Sequence, residues 1–427
     1  MLSPDEAAAR LRPVDSLGIP LGPGQPASLL HALGGRTDWE DLEVGGALLV
    51  DLYQLFLHPG VHHLSGFFGP AERFLLASGA DIQFVPADFR RFAPVLERRP
   101  PRVMATAAAV PDVEGWCSLS LHAGATTGEI NRAGRDPDRE LIVEVNPKLP
   151  RTLGWEDHRH AVHLDQIDVL VEGDRDPFVL ADAVPGPIDE AIADLVRPYV
   201  PDGATLQTGI GSIPSGVIGR LAEGDGGDYG IHSEMFTTGL MRLHQAGKVS
   251  NERKGTYDGV SITTFAAGTA ELYEWLDGNG DVRFLPVDVV NSPEAIARNH
   301  QMITVNGAIT IDLFGQVVAD TRDGTQFSGI GGHEDFVAAT GLQLEDRSLI
   351  CLPSTAARGG QQVSRIVARL PYGSVVTTPR HQLDVVVTEH GAAELRGHTV
   401  RERAIALAAI ADPSVRPELE DAASRMS

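Results

Sequence analysis

The stretch 228–239 contains a carboxylate whose neighbours suit it to chemistry. Glu234 follows a histidine and a serine that can donate hydrogen bonds, and it precedes a methionine and a phenylalanine that limit the access of water. A desolvated carboxylate is more basic and more nucleophilic than a carboxylate on the surface. The stretch therefore indicates Glu234 as a candidate catalytic residue, although a lone glutamate often caps a helix or pairs with a cation instead.

Two glycine-rich segments enter helices in the second half of the chain. Gly209-Ile-Gly-Ser-Ile-Pro214 lies between a predicted strand at 204–208 and a predicted helix at 215–222, where free amide groups point outward. Ser328-Gly-Ile-Gly-Gly332 precedes a helix of small residues, and its glycines permit close backbone approach. Tight turns are the alternative explanation. The first segment lacks the full dinucleotide spacing, so it does not indicate a Rossmann nucleotide site.

The elements that must position these residues alternate between apolar strands and helices, in the rhythm of a parallel sheet. The near-continuous apolar runs at 103–110 and 141–145 are typical of strands covered on both faces. The segment 182–189 has the proline and glycine content of a linker. We predict an N-terminal α/β domain at 1–185 and a C-terminal α/β domain at 186–427, which carries the candidate glutamate.

The same patterns predict the remaining elements. The other predicted helices are 5–11, 27–33, 71–77, 89–97, 188–199, 240–246 and 400–411. The other predicted strands are 47–52, 81–85, 167–171, 260–264, 282–286, 287–290, 303–313, 349–352, 366–370, 375–378 and 385–388. The charged end at 412–427 is predicted to be a surface helix or a tail.

Length, composition and charge narrow the class of protein. A chain of 427 residues exceeds the size at which a single core stops growing, so two domains are expected. With 42% hydrophobic and 22% charged residues and no membrane-spanning apolar run, it reads as a soluble globular protein. The net charge of −23 argues against nucleic acid as a partner, because phosphate binding needs a basic face. The acidic N-terminus is not a secretory signal, so we expect a cytoplasmic protein without a membrane partner.

The cysteines indicate neither a disulfide framework nor a metal site. Cys117 and Cys351 lie far apart and lack metal-ligand spacing. We expect buried free thiols in a reducing compartment, and the sequence predicts no metal ligands.

Seven motifs in order carry a resemblance to one family. They are Gly115-Trp-Cys-Ser-Leu119, Glu144-Val-Asn-Pro-Lys-Leu-Pro150, Thr208-Gly-Ile-Gly-Ser-Ile-Pro214, Gly230-Ile-His-Ser-Glu-Met-Phe236, Ser328-Gly-Ile-Gly-Gly332 with Asp335-Phe336, Leu352-Pro-Ser-Thr355, and Val387-Thr-Glu-His-Gly391 through Leu395-Arg-Gly397. The chain resembles the acetyl-CoA hydrolase/transferase family, which includes the class I 4-hydroxybutyrate, butyrate and succinate:acetate CoA-transferases. The resemblance covers nearly the whole chain.

The resemblance implies both a fold and a reaction. The implied fold is two open, CoA-transferase-like (NagB/RpiA-type) α/β domains with mainly parallel sheets, which face each other across the acyl-CoA. The implied nucleophile is Glu234, which attacks the acyl-CoA and passes through an anhydride to an enzyme–CoA thioester. A second carboxylic acid then leaves as the new acyl-CoA. Coenzyme A is a substrate in this scheme, and no metal or tightly bound cofactor is needed.

Within this resemblance the glycine loops have a chemical task. Each step builds negative charge on a carbonyl oxygen, and a preorganised amide donor at that point typically contributes about 10²–10³-fold. The natural donors are the Ile210 amide in the first loop and the Gly331 or Gly332 amide in the second. The other candidate residues of the oxyanion and acyl-CoA site are Gly209, Gly211 and Gly329.

Two further residues are candidates for CoA binding by resemblance. Asn291 corresponds to a CoA-contacting asparagine in succinate:acetate members, although its sequence context also fits a helix cap. Arg347 lies where many members place a lysine near the CoA, and its guanidinium offers a wider fork to a phosphate. A homo-oligomer, in particular a dimer, is expected from the habit of the family.

Some positions depart from the family pattern and leave the substrate open. Thr238 replaces an acid, His333 and Glu334 intervene after the second glycine loop, and the segment 121–124 replaces a serine-rich segment near the acyl site of relatives. Three activities are consistent with the sequence. They are a transferase between short-chain carboxylates such as acetate, an acetyl-CoA hydrolase that uses the same glutamate, and a non-catalytic acyl-CoA-binding protein.

Overall fold

The computed structural model of the protein describes residues 1–426. Ser427, which ends the predicted tail at 412–427, lies outside the described residues. The rest of that segment contains the helix Arg416–Ser424, which packs Leu419 and Ala423 into a buried apolar cluster. The charged end of the chain is therefore a docked helix.

The N-terminal part of the chain forms a parallel sheet. Its strands, with one short antiparallel pair, are β1 Val14–Gly18, β2 Asp41–Gly46, β3 Val61–Ser65, β4 Asp81–Phe84, β5 Val103–Ala108, β6 Trp116–Ser118, β7 Glu140–Val145, β8 Ala161–His163 and β9 Val169–Glu172. The sheet has the order β4-β3-β2-β1-β5-β7-β9, and each neighbouring pair is parallel. The pair β6 and β8 lies outside this sheet.

The C-terminal part forms a second, mainly parallel sheet. The strands are β10 Thr205–Thr208, β11 Gly230–Ile231, β12 Met235–Phe236, β13 Ser261–Thr263, β14 Phe265–Ala266, β15 Val282–Phe284, β16 Met302–Gly307, β17 Thr310–Asp312, β18 Val317–Val318, β19 Thr321–Arg322, β20 Thr325–Gln326, β21 Arg347–Cys351, β22 Thr355–Arg358, β23 Gln361–Ser364, β24 Ile366–Val367, β25 Val385–Thr388 and β26 Gly391–Glu394. The large sheet has the order β11-β10-β16-β21-β25-β26, and β26 runs antiparallel to β25. These two sheets confirm the predicted α/β class.

Helices connect the strands along the whole described chain. They are α1 Pro4–Ala8, α2 Ala27–Gly34, α3 Pro70–Ala77, α4 Phe92–Arg98, α5 Thr127–Ala133, α6 Pro187–Val196, α7 Ser212–Glu223, α8 Thr238–Gln245, α9 Ala270–Leu276, α10 Val287–Val290, α11 Pro293–Ala297, α12 His333–Ala339, α13 Val400–Ala409 and α14 Arg416–Ser424. Local signals set several of their starts: Thr399 and Glu402 form a capping box at α13. Within residues 1–426, no helix combines the length and apolarity needed to cross a bilayer.

Several predicted strands are wrong for identifiable reasons. The segment 287–290 forms α10, because a spacing of three buries Val287 and Val290 on one helix face. The predicted strand at 47–52 begins where β2 has already ended at Gly46, since the glycines of β2 hide its alternation. The segment 375–378 does not form a strand, and its backbone pairing is limited to bonds between its two threonines and Val317. The sequence also missed β1 and β3.

The two sheets meet through loops from both halves of the chain. The first sheet ends at Glu172 and α6 begins at Pro187, so the predicted boundary near 186 falls between them, and the division into two domains stays a prediction. The amide of Phe89 donates to the carbonyl of Gly331 at 2.9 Å, which joins the first half to the second glycine loop. Cys117 and Cys351 are buried free thiols, as predicted.

Candidate active site

Glu234 lies in the short connection between β11 and β12, where its main chain is held firmly. Its carbonyl oxygen accepts hydrogen bonds from the amides of Thr264 and Phe265 at 3.0 and 3.2 Å. The hydroxyl of the preceding Ser233 donates to the carbonyl of Thr208 at 3.1 Å, directly before the first glycine loop. These tertiary contacts fix the glutamate next to the end of β10, at the edge where open α/β sheets bind ligands.

Asn291 holds the Glu234 carboxylate from the other side. It follows α10, and the last carbonyl of this helix, on Val290, accepts a hydrogen bond from His232 Nε2 at 2.7 Å. The Asn291 Nδ2 lies 2.7 Å from Glu234 Oε2 and 2.9 Å from Asp335 Oδ2. Since an amide nitrogen carries two hydrogens, Asn291 donates to both carboxylates and bridges them.

The burial of this pair changes its protonation. Desolvation raises the pKa of Glu234 to about 8, the Asn291 hydrogen bond opposes that shift, and the charge of Asp335 adds to it. Desolvation also raises the pKa of Asp335 to about 6, while its contacts with Asn291 and Arg90 lower it. The Arg90 amide donates to Asp335 Oδ2 at 3.2 Å. Glu234 is thus a carboxylate of raised basicity, and one amide donor, Asn291, fixes its orientation.

We expect Asn291→Ala to lower kcat/KM at pH 7 by about 10- to 100-fold, because a hydrogen bond to a charged group contributes ~1.5–3 kcal/mol. Removal of this donor raises the pKa of Glu234 further, so the acid limb of the pH–rate profile moves to higher pH. Asn299→Ala is the matched control, because Asn299 is equally buried but donates only to carbonyls of its own helix turn. An unchanged acid limb in Asn291→Ala excludes this role.

The second glycine loop lies directly against the Glu234 carboxylate. A methyl group at Gly332 would lie 1.8 Å from Glu234 Oε2, and one at Gly331 would lie 3.8 Å from Oε1. The first loop borders the same space, since Gly209 and Ile210 line the cavity together with Glu234. Within residues 1–426, the amides of Ile210, Gly331 and Gly332 donate to no protein acceptor. These amides are therefore available to a ligand beside the carboxylate.

The remaining two glycines have different positions. Gly329 lines the cavity with Glu234, and a side chain there would collide with Phe67. Gly211 lies one residue before α7 with φ +121°, a conformation that favours glycine, and it lines a smaller neighbouring cavity.

A cavity of about 830 Å³ opens beside Glu234, between loops of the two sheets. Both glycine loops, Met235 and Phe265 form its wall near the carboxylate, and residues from β1, β2, α4 and the segment after β3 form the rest. Cavities of this size and largely apolar lining are typical of small-molecule sites. The arrangement provides a basic carboxylate, free amide donors and room for an organic substrate.

Comparison with known proteins assigns the family. The sequence profile of the acetyl-CoA hydrolase/transferase C-terminal domain matches residues 268–423. A succinyl-CoA:cyclohexane-1-carboxylate CoA transferase of Geobacter metallireducens is 35% identical over 100% of this chain and 95% of the relative. The chain belongs to the acetyl-CoA hydrolase/transferase family. It is accordingly an enzyme of the CoA-transferase class.

Other members of this family agree in sequence and in structure. The 4-hydroxybutyrate coenzyme A transferase of Clostridium kluyveri is 35% identical over 93% of this chain and 90% of the relative. The crystal structure of RipA from Yersinia pestis superposes with a TM-score of 0.91 at 32% identity, covering 100% of this chain and 97% of that chain.

Arg347 lies away from the cavity that the glycine loops and Glu234 line. It is the first residue of β21, opposite Ile303, whereas the cavity lies at the other end of the sheet near Gly307. Its guanidinium pairs with Asp384 at 3.1 Å and with Glu394 at 2.9 Å. The structure thus places Arg347 in an ion-pair network away from the cavity, and its contact with CoA stays a prediction. Asn291 lies against the Glu234 carboxylate and outside the cavity lining, and its contact with CoA also stays a prediction.

Three residues that depart from the family pattern, His333, Glu334 and Thr238, form hydrogen bonds with neighbouring threonines. Burial lowers the pKa of His333 to about 4, and its Nε2 lies 2.8 Å from the Thr378 hydroxyl, which in turn donates to Glu334. Burial raises the pKa of Glu334 to about 7. Of this trio, His333 lines the cavity. Thr238 hydrogen-bonds to Thr269, away from the carboxylate.

Asp335 is the site residue that sequence reasoning missed. It stands in a motif that carried the resemblance, three residues after the glycine loop, but the sequence assigned it no role. The available signal was its place in the first turn of a helix, next to the glycine loop, where a carboxylate is favoured by the helix dipole.

Proposed function

We propose that the enzyme moves CoA from a short-chain acyl-CoA, such as acetyl-CoA, to another carboxylate through a thioester on Glu234. One observation carries the proposal: the Glu234 carboxylate lies at the wall of an 830 Å³ cavity between two loops with free amides. Burial raises the pKa of Glu234 and Asn291 orients its carboxylate, which together fit a covalent nucleophile. Further support comes from the relatives, which are named as CoA transferases.

The first half-reaction forms the thioester. A Glu234 oxygen attacks the acyl carbonyl carbon, the C–S bond breaks, and CoA leaves as the thiolate, which gives an acyl–glutamyl anhydride. The thiolate attacks the glutamyl carbonyl carbon of this anhydride and releases the first acid as a carboxylate. Negative charge develops on a carbonyl oxygen in each attack, and we assign the amides of Ile210, Gly331 and Gly332 to stabilise it.

The second half-reaction runs the same steps with a new acid. Its carboxylate attacks the glutamyl thioester, the CoA thiolate leaves, and the thiolate then attacks the new acyl carbonyl carbon. The products are the new acyl-CoA and free Glu234, so no proton is consumed. The same thioester reacts with water in an acetyl-CoA hydrolase, which is the second candidate function. Exclusion of water by the mainly apolar cavity favours transfer.

Incubation with acetyl-CoA, with and without butyrate, distinguishes these functions. We expect butyryl-CoA to appear in step with the loss of acetyl-CoA, and free thiol to form slowly when butyrate is absent. Thiol release that is equally fast without an acceptor would establish the hydrolase instead. The expectations of a homodimer and of a cytoplasmic location stay predictions, and light scattering at two protein concentrations tests the first.

A further inference from the structure

One face of the first sheet is left open next to the candidate active site. β2 is an inner strand, yet only Leu42 and Val44 on one face are buried, while Glu43 and Gly45 on the other are half-buried. The neighbouring Leu64 of β3, opposite Gly45, is also half-buried. Parallel sheets are normally covered on both faces, so this open face is an exception within the fold.

Helix α4 lies over this face without filling the space beneath it. Its apolar residues Phe92, Val95 and Leu96 share one side of the helix and line the cavity with the sheet. All residues of α4 are partly or fully exposed, and Val95 is 40% exposed. Phe92 reaches the sheet, where a methyl group at Gly66 would touch its ring. At Gly45 a methyl group would meet nothing within 4 Å.

The space beneath α4 is continuous with the space beside Glu234. Both belong to the same cavity of about 830 Å³. Phe67, which follows β3, contacts the second glycine loop at Gly329, so the C-terminal end of β3 faces the active-site end of the cavity. From there the lining runs back along β2 from Gly46 to Glu43, a distance of ~10 Å at the rise of a strand.

The far part of this cavity offers no free cation to an anionic substrate group. Arg99 is the lone arginine or lysine side chain among the lining residues of the described chain. Its guanidinium lies 2.5 Å from Glu43 Oε2, so its charge is already neutralised at the far end of the lining. The surfaces between this ion pair and Glu234 are mainly aliphatic, aromatic and glycine.

We propose that the space between α4 and the Gly45 face is an acyl subsite that accepts uncharged apolar acyl groups larger than butyryl. The inference rests on the proposed function, because it requires the acyl carbonyl to lie at Glu234. The hydrocarbon part of the acyl group then extends from the carbonyl along the face of β2, beneath the apolar side of α4. A dicarboxylyl group such as succinyl would place its second charge among apolar side chains, which costs binding free energy.

A series of acyl-CoA donors with acetate as acceptor tests this subsite. We expect kcat/KM to rise by about fourfold for each buried methylene from butyryl-CoA to octanoyl-CoA, and octanoyl-CoA to exceed succinyl-CoA by more than 100-fold. A decline from acetyl-CoA onward, or a preference for succinyl-CoA, overturns the inference while Glu234-dependent exchange still supports the proposed function.

Gly45→Leu places its first side-chain carbon in open space, with no atom within 4 Å, and the backbone at this position is not strained. We expect the ratio of kcat/KM for octanoyl-CoA to that for acetyl-CoA to fall by at least about tenfold. Gly219→Leu is the matched control, because its first side-chain carbon also meets no atom within 4 Å but lies in α7, outside the cavity. Val95→Phe fills the same space from the helix side, in case Gly45→Leu does not fold. An unchanged ratio in a folded variant contradicts the subsite.

Binding separates failure of the inference from failure of the proposed function. Calorimetry with Glu234→Gln compares octanoyl-CoA with acetyl-CoA without turnover, and we expect at least tenfold tighter binding of octanoyl-CoA. If no donor exchanges in the native protein, the proposed function fails, and this comparison still decides the subsite. Equal affinities for the two thioesters overturn it.

Discussion

Replacement of Glu234 by glutamine is expected to lower CoA exchange by about 10⁴-fold or more, because the amide cannot form the anhydride or the thioester. The variant keeps the shape of the side chain and an oxygen acceptor for Asn291, so the cavity should persist. Exchange between acetyl-CoA and a second carboxylate measures the loss. Hydroxylamine should trap a glutamyl hydroxamate at residue 234 of the native protein only, as read by peptide mass spectrometry. Substantial exchange by Glu234→Gln would remove this carboxylate from the mechanism.

The same substitution should stabilise the protein at alkaline pH. The folded-state pKa of Glu234, about 8, lies above its unfolded value near 4.5, so the stability that the neutral acid contributes is lost as pH rises through 8. Glutamine stays neutral at every pH. The free energy of unfolding of the variant therefore rises relative to that of the native protein by at most ~1.4 kcal/mol for each pH unit between those two pKa values. Denaturant unfolding at pH 4.5 and pH 8.5 measures the difference, which should disappear at the lower pH. A gain of equal size at both pH values would show a cause other than titration.

Replacement of Gly332 by alanine is expected to lower kcat/KM by about 10²–10³-fold, since small misplacements of a reacting group can cost ~10²-fold. The added methyl would lie 1.8 Å from Glu234 Oε2 and 2.5 Å from Asn291 Nδ2, so the carboxylate must move. The backbone of Gly332 has φ −89°, which alanine adopts readily, so the defect should be local.

Gly219→Ala is the control for Gly332→Ala, because alanine can adopt the backbone conformation at both positions and, of the two, only Gly332 lies against Glu234. Steady-state kinetics and thermal unfolding of the two variants separate displacement of Glu234 from loss of folding. Activity of Gly332→Ala within about threefold of the native protein would show that the second glycine loop does not confine the carboxylate.

The sequence predicted the parts of this site that depend on local residue types and their order. Glu234 stands out because its own neighbours desolvate it, and the glycine loops stand out because glycine permits close backbone approach. The α/β class also follows from a local pattern, the alternation of apolar strands with helices. The structure confirms that class and brings Glu234 and both loops to one cavity.

The tertiary structure decided which distant residues accompany the glutamate. Asn291 and Asp335 lie 57 and 101 residues beyond Glu234, and packing of the helices that carry them forms the bridge. Arg347 is the opposite case. Its motif position predicts a CoA contact, whereas the strand register places it at the end of the sheet remote from the cavity. Arg347 begins its strand, whereas ligands of open α/β sheets bind at the carboxyl ends of the strands.

The acyl subsite is the clearest case of what the sequence alone did not determine. The sequence did not predict β1 or β3, and it predicted a strand at 47–52 in place of β2. The sheet face that carries Gly45 could therefore not be identified until the pairing of the strands was known. Whether an apolar helix such as α4 packs onto a sheet or stands above it depends on the side chains opposite, which lie far away in sequence. The family of this enzyme and its candidate nucleophile thus follow from local motifs. The space available to its substrate follows from packing between distant elements, which no single segment encodes.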